Sequence, residues 1–150
     1  MEKVFENFAV VIMKLNKLIQ RIKQFEMREY GLKAIHVMCV YYLDENPAGL
    51  TSGELVKLTL EDKVAVSRAV AALQEKGYVR CGQKTNNAKL TLTDEGKKLA
   101  FAISERSIKA VEAGSADMSE EQRRLFYGYL NETADKLTEY YSRLVSDDKP

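Results

Sequence analysis

The sequence predicts a mainly α fold, α+β in strict terms, built from six helices and one short β-hairpin. Three observations carry this expectation. Apolar residues recur in steps of three and four over most of the chain. Only Pro47 and Pro150 interrupt backbone hydrogen bonding, which leaves nearly every segment free to be helical. Strict alternation is confined to two short runs, "YVRC" and "KLTLT", joined by the glycine- and asparagine-rich "GQKTNNA".

Taken in order, Val4 to Phe25 forms a long amphipathic helix. Phe5, Phe8, Ile12, Leu15, Ile19 and Ile22 make a heptad seam, and Val4, Val11, Leu18 and Phe25 add a flanking row. So wide a stripe at a chain terminus suits a dimer. Gly31 interrupts, and Leu32 to Leu43 follows as a helix apolar on nearly every side, hence central. "DENPAG" ends it with turn chemistry. "TSGEL" then opens a short helix through a capping box, Thr51 with Glu54, and Leu55, Leu58 and Leu60 are expected on its buried side.

Asp62 is an N-cap for the next helix, 62–76, whose Val66, Ala69, Val70 and Leu73 share one face and whose stop is Gly77. The hairpin follows. Thr93 starts a fifth helix with Leu99, Ile103 and Ala110 on one face. Ser119 with Gln122 caps a sixth, carrying Phe126, Leu130, Thr133, Leu137, Tyr140 and Leu144 at heptad-like spacing. Tyr127, Tyr129 and Tyr141 join this last helix as packing residues.

At 150 residues, 45% apolar and 30% charged, the chain is expected to be one soluble domain. Within it, 1–30 and 114–150 supply dimerisation helices around a central unit, 32–100. Two cysteines without a spacing motif suit a reducing compartment. The N-terminus carries Glu2, Lys3, Glu6 and Lys14, and its apolar run Phe8 to Met13 is too short for a signal peptide or a membrane span. The expected location is the cytoplasm, with no membrane partner.

The net charge of +1 hides an asymmetry. Lys63, Arg68, Lys76, Arg80, Lys84 and Lys89 face a single acid, Glu75, across 63–89, whereas acids outnumber bases from Gly114 onward. A basic middle in a near-neutral chain can bind a polyanion locally.

The outward face of helix 62–76 sharpens this. Val64, Ser67, Arg68 and Ala71 lie opposite the buried quartet, with Lys63 at the edge. A solvated face would carry long charged residues throughout; this mixture fits a DNA major groove. Arginine bonds guanine O6 and N7, serine serves base or phosphate, and small apolar groups meet thymine methyls. The preceding helix offers its N-terminus, at Thr51 and Ser52, to a backbone phosphate. Two short helices with a tight turn make a helix-turn-helix, and the hairpin makes it a winged helix. The wing, 82–89, brings Lys84, Asn86, Asn87 and Lys89 toward the backbone or minor groove.

"EDKVAVSRAVAALQEKGYV", followed by a short wing and "LTLTDEGKKLA", resembles the multiple-antibiotic-resistance regulator (MarR) family. The shared pattern falls on Asp62, Lys63, Val66, Ser67 and Arg68, on Leu73, Lys76 and Gly77, and on Leu92, Thr93 and Gly96. The resemblance covers nearly the whole chain. It implies a C2 homodimer on a pseudo-palindromic double-stranded operator, through interface residues that include Phe5, Phe8, Ile12, Leu15, Phe126, Leu130, Leu137, Tyr140 and Leu144. It also implies repression relieved by a small aromatic or apolar ligand near Arg21 and His36. Family wings usually carry an acid-then-arginine tip. "GQKTNNAK" lacks it, which implies a smaller wing contribution to specificity.

No cofactor or metal is expected. His36 is the only histidine, and Cys39 three residues on does not complete a zinc set. Both Cys39 and Cys81 are expected as small packing residues, Cys81 beside the wing being the better thiol sensor. One histidine, no phosphate loop and no nucleophile motif argue against an enzyme. The alternative to a DNA-binding regulator is a winged-helix protein-interaction module with weak or no specific DNA binding, motivated by the short wing and near-zero charge.

Overall fold

A computed structural model describes residues 2–82 and 88–147, the side chains of Glu2, Val4 and Phe5 excepted. The order is α1 (Glu2–Glu26), a 3-10 turn (Arg28–Tyr30), α2 (Ala34–Glu45), α3 (Ser52–Thr59), α4 (Lys63–Glu75), β1 (Val79–Cys81), β2 (Leu90–Leu92), α5 (Asp94–Gly114) and α6 (Glu120–Asp147). The six helices and the antiparallel hairpin expected from sequence are present. The chain divides into two compact units, Met1–Ser107 and Ile108–Pro150.

The first unit is built around α2. Val37, Cys39, Val40 and Leu43 are buried there, against Leu55 of α3, Val66, Ala69, Val70 and Leu73 of α4, and Leu99, Ala100 and Ile103 of α5. The hairpin closes this core with Val79, Leu90 and Leu92, in the register Val79↔Leu92, Arg80↔Thr91, Cys81↔Leu90. Leu50 adds a one-residue bridge to the free edge of β2. Burial of so many aliphatic side chains is the main stabilising term, at roughly 1.5–3 kcal/mol for each large side chain.

Local chemistry sets the boundaries. Thr51 accepts from the Glu54 amide at 3.2 Å, and Glu54 accepts from the Thr51 amide at 2.7 Å, closing the capping box on α3. Asp62 accepts from the Ala65 amide at 2.8 Å. At the other end of α4, the Gly77 amide donates to Gln74 and the Tyr78 amide to Leu73, with Gly77 at φ 77°, a Schellman stop. Ser119 and Gln122 exchange bonds at the start of α6.

Two expectations are corrected. Leu58 and Leu60 do not pack beneath α3: Leu55 is its one buried residue, and Leu60 is 83% exposed. Eight residues make barely two turns, and Leu60 has already left the helix in a left-handed conformation, φ 57°. The second helix is also displaced, to Ala34–Glu45. Gly31 ends the 3-10 turn in a left-handed conformation, Lys33 is extended as N-cap, and Asn46 carries the helix end through Nδ2–H donated to the Tyr42 carbonyl.

In the second unit α6 buries no residue, and its Phe126, Leu137, Tyr140 and Leu144 are exposed. No helix among the described residues is long and apolar enough to cross a membrane.

Candidate nucleic-acid interface

Burying Val66, Ala69, Val70 and Leu73 turns the opposite face of α4 to solvent. Lys63, Val64, Ser67, Arg68 and Ala71 are all exposed, as the periodicity requires. These residues therefore form one continuous strip: a cation and an apolar branch at the helix start, a hydroxyl and a second cation in mid-helix, and a methyl beyond. Neither Lys63 nor Arg68 makes an ion pair among the described residues. Unneutralised cations beside small side chains let a helix approach a polyanion closely.

Ser52 is exposed at the first turn of α3. The Thr51 hydroxyl is engaged differently, donating to Glu54 at 3.0 Å while accepting from the Glu54 amide. The Glu54 carboxyl is held below its ordinary range by the Thr51 amide and hydroxyl, with Lys89 contributing a weaker attraction. Lys89 of the hairpin thus sits within electrostatic reach of the α3 start. Lys84, Asn86 and Asn87 lie outside the described residues.

Arg80 is absent from the contacts expected from sequence, yet it stands on the exposed face of β1, its Nε donating to Thr91 Oγ1 at 3.1 Å. The alternation in "YVRC" is the signal that could have found it, since Val79 turns inward and Arg80 must turn out.

The expected ligand residues lie on α1 and α2. Arg21 is exposed. His36 is buried, and its Nδ1 accepts from the Lys33 amide at 2.7 Å, half of a capping box on α2. Burial holds its pKa below the ordinary 6.5, and the charges of Lys33 and Lys76 act in the same direction. Lys23 is a further group on this side of α1. Its ammonium donates to the Met38 thioether at 3.1 Å, and burial lowers its pKa.

Cys39 is fully buried, with its thiol pushed up to about 11 chiefly by burial, so it is a poor nucleophile; Cys81 is exposed. No three potential metal ligands converge among the described residues. Of the expected interface residues, Phe8, Ile12, Leu15, Phe126, Leu137, Tyr140 and Leu144 are exposed, Leu130 is half-buried, and the Phe5 side chain lies outside the described ones.

Residues 30–83 match the MarR family model. No curated protein matches the chain. Among solved structures, a MarR transcriptional regulator from Methanosarcina mazei Go1 is similar at a TM-score of 0.84 and 21% identity, over 90% of this chain and 92% of that one. A Listeria monocytogenes protein, described as a MarR family transcriptional regulator and complexed with 26mer DNA, gives 0.83 and 18% over 95% and 96%. The S. aureus MepR–DNA complex gives 0.73 and 17% over 87% and 97%. Residues 30–83 are thus similar to the MarR family, and over 90% of its length the chain takes the winged helix-turn-helix fold of the MarR proteins.

Proposed function

We propose that this chain is a homodimeric, sequence-specific DNA-binding transcription regulator of the cytoplasm, with α4 as its recognition helix and no enzymatic activity. One observation carries the reading: Lys63, Val64, Ser67, Arg68 and Ala71 form an exposed strip on a helix whose other side is locked into the core. Arg68 is assigned to guanine, Ser67 to a base edge or phosphate, and Val64 and Ala71 to thymine methyls. Ser52 and Lys89 hold the backbone, with the Thr51–Glu54 box fixing the helix end that presents Ser52. Two similar folds are known in complex with DNA, which supports the same use here.

The exposed apolar rows of α1 and α6 are assigned to the contact with a second copy. A C2 dimer would place two α4 helices in successive major grooves, about 10 base pairs apart. Repression relieved by a small aromatic or apolar ligand completes the proposal, with Arg21 and His36 bordering the ligand.

The test is selection of bound fragments from the source genome at low and physiological salt. Recovery of a pseudo-palindrome supports the reading. Recovery of only diffuse, salt-sensitive fragments, or of none, overturns it in favour of a protein-interaction module.

A further inference from the structure

We propose that Arg80 is a backbone anchor of the hairpin, pre-oriented by Thr91 to grip a DNA phosphate. The inference rests on the DNA-binding reading above and adds a residue and a positioning partner to it.

Arg80 and Thr91 face each other across the hairpin, the middle pair of its three. Their neighbours Val79, Leu90 and Leu92 are buried, so the pleat turns this pair outward together. The Arg80 Nε donates to Thr91 Oγ1 at 3.1 Å. That bond uses one edge of the guanidinium and leaves both Nη groups without a partner among the described residues.

Three other cations of the same unit are held by carboxylates, whereas Arg80 is held by a hydroxyl. Arg106 is paired with Glu29, Lys98 with Glu95 and Lys97 with Asp94. Arg80 has no carboxylate among the described residues. Pinning a long exposed side chain costs rotamer entropy, and a neutral hydroxyl in water offsets little of it. The arrangement becomes productive when an anion takes the free edge, because a planar guanidinium already held in one orientation can bind two phosphate oxygens at once.

The surroundings specify the anion. Thr91 Cγ2 packs so closely on Gly49 that a Cβ there would lie 2.9 Å from it, and Gly49 leads directly into Thr51 and Ser52 at the start of α3. Lys89, on the same side of Gly49, is felt by Glu54 on α3. Arg80 therefore shares a rim with the helix N-terminus assigned to the backbone. With Nε held against Thr91 on the opposing strand, the guanidinium is drawn across the hairpin toward β2. It meets the outermost atoms of a duplex, its phosphates, and does not reach base edges.

The experiment measures binding of wild type, Arg80→Ala, Arg80→Lys and Thr91→Val to the selected operator and to a mixed-sequence duplex across a salt series. Arg80→Ala is expected to weaken both duplexes about equally, on the order of tenfold, and to lower the salt slope by about 0.9 per lost phosphate contact. Thr91→Val keeps the charge and the β-branched shape. It is expected to retain the slope while weakening binding several-fold, and Arg80→Lys to restore the slope with only part of the affinity. Wild-type affinity and slope in Arg80→Ala would overturn the proposal, as would a loss confined to the operator with altered base preference. A wild type that binds neither duplex removes the DNA-binding reading itself, before any variant is compared.

Discussion

The hydroxyl of Thr93 donates to the Gly77 carbonyl at 2.6 Å, and its oxygen accepts from the Gly96 amide at 3.0 Å. One side chain thus joins the stop of α4 to the start of α5, across the base of the hairpin. The spacing of Leu92, Thr93 and Gly96 gains a physical reason here. A Cβ on Gly96 would lie 2.0 Å from the Tyr78 carbonyl oxygen, so only glycine allows α5 to come this close.

Gly96→Ala is therefore expected to destabilise the chain by about 1–3 kcal/mol through overpacking. Thr93→Val should cost about 1–2 kcal/mol through loss of the cap and the Gly77 bond. Urea unfolding reads both effects, and unchanged midpoints would refute the tie.

Much of this arrangement is legible in the sequence because it is local. Thr51 with Glu54, Asp62, Gly77 and Ser119 with Gln122 each satisfy backbone groups within a few residues, so spacing suffices to find them. The buried quartet of α4 follows from a single period. What escapes is either too short or too distant. Leu58 and Leu60 look buried because an eight-residue helix carries too few turns to orient its own stripe. The α2 start is obscure because a histidine ring accepts from the Lys33 amide, where a glutamate or glutamine would be the signature. Arg106 of α5 holds the 3-10 turn through the Glu26 carbonyl, the Glu29 carboxylate and the Tyr30 ring, and no periodicity links residues so far apart. Within the candidate interface, the α4 strip follows from the helical period and the alternation in "YVRC" turns Arg80 outward, whereas its partner Thr91 is fixed only by the strand register.

Leu60 holds a left-handed backbone, φ 57°, while exposing most of its surface. Its side chain gives up little on removal, and the conformation costs an L-residue about 1–2 kcal/mol. Leu60→Gly should stabilise the fold by about 0.5–1 kcal/mol after the extra chain entropy of glycine is counted. A lower melting temperature for this variant would mean that Leu60 makes contacts its exposure conceals.

His36 links stability to pH. Its folded pKa lies below the ordinary 6.5 because of burial, and protonated Nδ1 could not accept from the Lys33 amide. The unfolded chain therefore binds the proton more readily. The contribution is fully present above about pH 6.5 and is lost as pH falls through the lowered folded value. His36→Gln keeps an acceptor for Lys33 but does not titrate, so it should flatten this part of the stability profile. A profile identical to wild type would exclude His36 as its source.

The apolar rows of α1 demand cover. Ile12, Leu15, Leu18, Ile19 and Ile22 are exposed in the single chain. Removal of the residues before Glu26 should give monomer or aggregate by light scattering. A well-behaved dimer after that truncation would place the contact elsewhere.

Arg68 tests the central claim most directly. Binding of wild type and Arg68→Ala should be compared on the selected operator and on variants with each half-site position changed in turn. The account predicts a loss on the order of 1–3 kcal/mol together with relaxed preference at one position per half-site. Equal affinity and an unchanged preference profile would contradict it, and α4 would no longer be the helix that reads DNA.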